Sequence, residues 1–286
     1  MSETSRLDLS TPLPIRGPSA LTGDTRRFLH LTWTLAVQEF KLRFFGSVLG
    51  YLWQLMRPLM LFGVLYVVFT QFVEVSNQPL FPVSLLLGIV LFTFFAEATA
   101  GAVSSVVDRE QLVRKIHFPR LAIPLAVVLT AGFNLVLNLV VVFIFGLALG
   151  VEARWTWLEL PVLIALLGLF AVGVAALLSA LFVRFRDVRP IWDVVLQVVF
   201  YGSLIIVPFE TVHERFPKLS QILLANPLAA IIQQGRHALV DPRFPDAASA
   251  IGGAGLMLVP LGVVVATLAL GLSVFRRAAP HIAEDL

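Results

Sequence analysis

Residues 121–151 read LAIPLAVVLTAGFNLVLNLVVVFIFGLALGV, a run of 31 residues without one charged side chain. A bilayer-crossing helix needs roughly 20 apolar residues. Backbone in hydrocarbon must satisfy its own polar groups, and in a single segment only a helix does so. Two further stretches, 160–183 and 247–275, also lack Asp, Glu, Lys and Arg. With 58% hydrophobic and 14% charged residues and a mean hydropathy of +0.89, the chain is too poor in charge to cover a water-facing globule of 286 residues. These features specify an all-α polytopic membrane protein.

Hydropathy predicts six transmembrane helices, at about 53–73, 82–105, 121–149, 158–183, 191–208 and 250–275. Fifteen of the 21 Lys and Arg residues fall on one side of these spans, five fall on the other, and Arg57 lies within the first. Positive charge stays cytoplasmic, which puts both termini in the cytoplasm. The same rule accounts for the net charge of +3 without nucleic acid as a partner. Residues 1–27 are polar, carry four arginines and have no apolar core, so a flexible cytosolic tail is expected there rather than a signal peptide. Residues 47–286 then form a single transmembrane domain.

Two segments are neither spans nor ordinary loops. In residues 28–46, helical spacing gathers Leu29, Trp33, Ala36, Phe40 and Phe44 opposite His30, Thr34, Gln38 and Lys41. An amphipathic interfacial helix is expected, with Trp33 and Phe40 towards the acyl chains and Lys41 and Arg43 near the headgroups. The alternative is a cytosolic helix packed on a partner. Between the fifth and sixth spans, LSQILLANPLAAIIQQGRHALV (219–240) holds two apolar pieces broken at Asn226-Pro227, each too short to cross. Short re-entrant helices around a pore mouth fit this pattern, with Asn226 and Pro227 as a periplasmic gate. A loose outer loop with two surface helices is the alternative.

Side chains suited to chemistry are few. Glu97 is the one acid well inside a span, where an ionisable group is costly and needs either a partner or a function. Asn134 and Asn138 share a face of the third span and suit helix–helix hydrogen bonding. The five histidines are scattered, so no metal site is expected. No Gly precedes a Lys anywhere, which excludes the phosphate-cradling G-x-x-x-x-G-K-[ST] loop. Any ATP that drives this protein is therefore hydrolysed by another chain, and an enzyme or an ion-coupled carrier is disfavoured. The chain does have 23 Phe and 5 Trp. Phe62, Tyr66 and Phe69 share one face of the first span, and Phe92 and Phe95 one face of the second. They suit core or lipid packing, or a path on which sugar C–H faces stack.

Several ordered motifs carry a family resemblance: SVLGYLWQLMRPLMLFGVLYVVF (47–69), DREQLVRKIHFPRLAIPLAVVL (108–129), RFRDVRPIWDVVLQVVFYGS (184–203) and LLANPLAAIIQQGR (223–236). The chain resembles the permease subunit of type-2 ABC exporters, in the branch that exports O-antigen, teichoic acid and related cell-envelope polysaccharides. The likeness covers nearly everything after residue 27. Ser203-Leu204 departs from many relatives, which have Pro after the small residue. The resemblance implies a homodimer in a bacterial cytoplasmic (inner) membrane, with two copies of an ABC ATPase holding ATP and Mg. No cofactor is expected in this chain. It further implies a lipid-linked glycan as substrate and an ATPase-coupling segment at Arg114, Lys115, His117, Phe118, Pro119 and Arg120. Export of small amphiphilic drugs or antibiotics by the same fold is the first alternative, and a membrane-embedded enzyme or scaffold the second.

Overall fold

The computed structural model of the protein describes residues 25–44, 48–71, 80–115 and 118–282. The expected tail up to residue 24, the ends of the interfacial helix and first span, and His117 lie outside the described residues. So do the side chains of Arg43, Arg114 and Lys115. Every regular element among the described residues is helical. Among the described residues, five helical stretches are long and apolar enough to cross a membrane: Leu52–Gln71, Phe81–Ser105, Ala122–Ala148, Trp155–Arg184 and Ala254–Ala278.

In chain order, α1 (Thr25–Phe44) is followed by α2 (Val48–Gln71), α3 (Phe81–Ser105), the short α4 (Glu110–Lys115) and α5 (Ala122–Ala148). A 3-10 turn (Trp155–Glu159) leads into α6 (Leu160–Arg184), and α7 is Val188–Gly202. Short helices α8 (Phe209–Arg215), α9 (Pro217–Leu224), α10 (Pro227–Gly235) and α11 (Ala247–Ile251) precede α12 (Leu258–Ala278).

The bundle is organised around α3, of whose 25 residues 18 are buried. It packs on α5 and α6, α12 packs on α6, and α1 lies along α5. Lipid tails are as apolar as leucine, so helix association here rests on close packing and internal hydrogen bonds rather than on removing apolar surface from water. Several buried hydroxyls bond back within their own helices. Thr99 Oγ1 donates to Phe95 O at 2.7 Å and Thr130 Oγ1 to Ala126 O at 2.8 Å.

Two of the expected spans need correction. The fifth was expected over 191–208, but α7 has 15 residues and ends at Gly202. At 1.5 Å per residue that is about 22 Å, short of the roughly 30 Å hydrocarbon core. Past Gly202, Ser203 Oγ bonds back to Val199 O at 2.6 Å and Leu204 turns left-handed with φ 54°, so the helix cannot continue. The sixth span was expected from 250. Instead the chain breaks at Gly252 and Gly253, with φ of 105° and 133°, and α12 proper starts at Leu258.

The tightest crossing joins α6 to α12. A Cβ on Gly173 would lie 2.7 Å from the Leu268 backbone, and one on Gly271 would strike the Gly173 carbonyl oxygen. Small residues here let two backbones meet without side chains between them. Gly173→Ala or Gly271→Ala should therefore destabilise by about 1–3 kcal/mol through overpacking. Gly262→Ala, with nothing within 4 Å of the added carbon, should be neutral or slightly stabilising. Thermal unfolding of the purified variants in one detergent checks this, and an equal drop in midpoint for all three would contradict the packing assignment.

Candidate functional site

The first functional feature is a polar bridge inside the bundle. Glu97, on α3, accepts from Gln54 Nε2 of α2 at 2.6 Å and from Asn134 Nδ2 of α5 at 3.1 Å. Asn138 Nδ2 donates to Asn134 O at 2.9 Å. One carboxylate thus holds three helices together, which answers why an acid sits inside a span: both of its oxygens are engaged. Sequence reasoning singled out Glu97 and the asparagines but missed Gln54. An amide near the start of the first span, close to Arg57, was the available signal.

The aromatic residues divide into two environments. Phe95 is 1% exposed, stacks on Phe170 with ring centroids 5.0 Å apart, and lies 6.3 Å from Trp192, so its ring packs the core. Phe62 stacks on Tyr66 at 5.7 Å and meets Phe145 edge-on at 5.4 Å, while Tyr66 stays exposed. Phe69 is half-buried against the core. Phe92 meets Phe200 of α7 edge-on at 4.9 Å, and Phe200 meets the exposed Tyr201 at 5.4 Å. The α7 rings were missed, because their importance depends on how α7 leans on α3 rather than on sequence spacing.

α2 and α7 are the least packed of the long helices. Among the described residues of α2 almost none is buried, and Leu196 is the one buried residue of α7. On α7, Ile191, Val194, Val198 and Tyr201 are exposed at successive three- and four-residue steps, so one continuous apolar stripe faces away from this chain's own core.

At the end of the bundle bearing the α3–α5 connection, charged groups tie elements together. Arg109 Nη2 donates to Glu39 Oε2 at 2.8 Å, bracing α1 against that connection. Arg120 is 2% exposed and its Nη1 donates to Ala279 O, next to the end of α12. Burial lowers its pKa. Of the expected coupling residues, Pro119 and Arg120 are therefore turned inward, and Phe118 packs on the same cluster, with Val113 and Phe275. α1 packs along α5, with Trp33 and Phe40 edge-on to Phe133 at 5.4 and 5.5 Å. Trp33 is half exposed and Lys41 is exposed.

At the opposite end, α10 is buried at 8 of its 9 residues and packs against α3, α6 and α12. Asn226 caps it, accepting from Leu228 N at 3.1 Å and donating from Nδ2 to Ser203 Oγ at 3.0 Å. Pro227 occupies the first turn, where its missing N–H costs nothing. Sequence reasoning missed Arg236, which is 2% exposed. Its Nη2 donates to Leu204 O and Ile205 O at 2.7 and 2.9 Å. Burial pushes its pKa down to about 10, with Glu210 opposing the shift, so it stays cationic at neutral pH. The guanidinium fixes the sharp turn after α7 by engaging two carbonyls that this turn leaves without helical partners.

Residues 30–240, well over half of the chain, match the ABC-2 type transporter family. The chain belongs to that family. It is 28% identical to the O-antigen export system permease protein RfbA of Myxococcus xanthus, over 84% of this chain and 92% of that protein. The protein of the same name from Klebsiella pneumoniae is also 28% identical, over 87% of this chain and 92% of its own length. The polysialic acid transport protein KpsM of Escherichia coli is 24% identical, over 85% and 91%.

The Glu97 bridge is directly testable. Glu97→Leu would strand the Gln54 and Asn134 amides, at about 1–3 kcal/mol for each buried unsatisfied group. Glu97→Gln keeps one acceptor and should lose less. Thermal unfolding of the two variants should rank wild type above Glu97→Gln above Glu97→Leu, and indistinguishable midpoints would show that the bridge contributes no stability.

Proposed function

We propose that this ABC-2 transporter chain is the membrane permease subunit of an ATP-driven exporter that carries a lipid-linked polysaccharide across the bacterial cytoplasmic membrane. The polymer is of O-antigen, teichoic acid or galactan type. The observation that carries this reading is the likeness, over more than four-fifths of the chain, to permeases named for O-antigen export. The weaker likeness to a polysialic acid transporter points to the same class of cargo.

In the proposed assembly two copies of the chain pair, and two separate ATPase subunits bind ATP and Mg on the cytoplasmic face. The apolar stripe of α7 and the sparsely packed α2 are the faces that a second copy would cover. Their aromatics, Tyr66, Phe200 and Tyr201 among them, then border a path on which sugar rings stack without fixed charges to trap them. α7, completed by the turn through Pro208, serves as the fifth of six crossings. This keeps Arg184, Arg186 and Arg189 on the side of both termini, in the cytoplasm. α9 and α10 enter the outer leaflet and return, with Asn226 and Pro227 at the mouth. Arg114 and Lys115, on α4, meet the ATPase.

Deletion of the gene should leave the lipid-linked glycan inside the cell and the surface undecorated, with plasmid-borne wild type restoring export. An unchanged surface glycan combined with new drug sensitivity would instead indicate small amphiphiles as cargo. Charge reversal at Arg114 and Lys115 should reduce co-purification of the ATPase and export by at least tenfold. Retention of both would refute the coupling role.

A further inference from the structure

The C-terminal ends of α6 and α12 enclose a pocket of about 490 Å³ that none of the transport features above uses. Its polar lining is Arg184, Arg277 and His281, and its apolar lining includes Leu181, Phe185 and Val274. Arg184, Arg277 and His281 are exposed. Among the described residues no carboxylate pairs with any of the three, in contrast with Arg109 and Arg243, which carry Glu39 and Asp241. The chain next to the lining residue Ala278 is held in place, since Arg120 donates to Ala279 O.

Two features define what such a pocket would hold. Two unpaired guanidiniums facing one space select a phosphate, which each can engage with two parallel N–H donors. The two helix ends oppose an anion with about half a negative charge apiece, which two full positive charges outweigh before His281 is counted. The second feature is position. The guanidiniums stand at the ends of two helices apolar and long enough to cross a membrane, and α12 leaves Leu261, Val265 and Leu270 exposed. A soluble phosphate or an acidic protein side chain would leave the apolar lining empty. A phospholipid fills both halves, its head group on the arginines and an acyl chain along Leu181 and Val274.

We infer that the Arg184–Arg277–His281 pocket is a binding site for an anionic glycerophospholipid of the surrounding leaflet, held by its phosphate between the ends of α6 and α12. The site braces the two helices whose glycine crossing lies deeper in the bilayer.

Native mass spectrometry of the full-length chain, purified with its co-expressed ATPase and titrated with phosphatidylglycerol, tests this. Phosphatidylglycerol should bind on the order of tenfold more tightly than phosphatidylcholine. Arg184→Gln with Arg277→Gln should remove that preference. Arg186→Gln with Arg276→Gln removes equal charge from neighbouring positions outside the pocket and should preserve it. Equal binding of the two lipids, or equal loss in the two double variants, would overturn the site. Displacement of the lipid by millimolar inorganic phosphate would assign the pocket to a soluble anion, and preferential binding of a polyprenyl phosphate at equal mole fraction would assign it to a carrier lipid. Loss of the ATPase from the pocket variant with lipid binding intact would make the surface a protein contact. Each of these three outcomes also contradicts the inference.

Discussion

The enclosure of α3 by its neighbours is the constraint around which the rest of the chain is arranged. The buried face of α3 runs almost around its circumference, and α5, α6, α10 and part of α7 are arranged to cover it. Because association within lipid gains nothing from expelling water, the enclosure is held by shape and by internal hydrogen bonds. The Gly173–Gly271 crossing supplies the first and Glu97 supplies much of the second. A carboxylate inside this helix would be destabilising alone. With two amide donors from different helices it becomes a fastener, and it ties α2, otherwise barely packed, to the core.

Packing is distributed unevenly in a way that suits a transporter. α3, α5, α6 and α12 form a compact unit, whereas α2 and α7 present most of their surface outwards. Elements with few buried contacts are those that move or meet partners at low energetic cost. Rigid elements surround these two helices: the Glu97 bridge on one side, and on the other the Arg236 clamp on the turn that follows α7. In the proposed homodimer the loosely packed faces form the path, and the compact unit keeps its shape while they shift.

The long apolar runs were legible because length and lack of charge alone determine a membrane-crossing helix, and the ends of α3 and α5 fall within one residue of those expected. Where the reading failed, local backbone chemistry competed with hydropathy. Residues 203–208 are apolar enough to extend α7, yet the left-handed Leu204 and the carbonyls taken by Arg236 end it. Glycines 252 and 253 likewise cut off what hydropathy joins to α12. Side-chain direction was less legible still. Charge placed Arg114, Lys115 and Arg120 in one basic segment, but only tertiary packing turns Arg120 inward onto Ala279. Phe92 and Phe95 are three apart on one helix face, yet one meets α7 and the other is sealed against Phe170. Sequence spacing gives a face; the neighbour on that face decides between core and surface.

That inward turn of Arg120 changes how the α3–α5 connection can act. A basic loop waving in water would bind a partner and transmit little, since its motion would dissipate in its own flexibility. Here the connection is fastened on both sides, by Arg109 to Glu39 on α1 and by Arg120 to the end of α12. The first is a partly buried ion pair with a direct hydrogen bond, stronger than an exposed one because water screens it less. The second engages a carbonyl that lies past the end of a helix. Displacement of Arg109 therefore reaches α1, and displacement of Arg120 reaches the end of α12, through direct bonds. In the proposed assembly the contact with the ATPase falls to Arg114 and Lys115, and Arg120 is the internal anchor of the same segment.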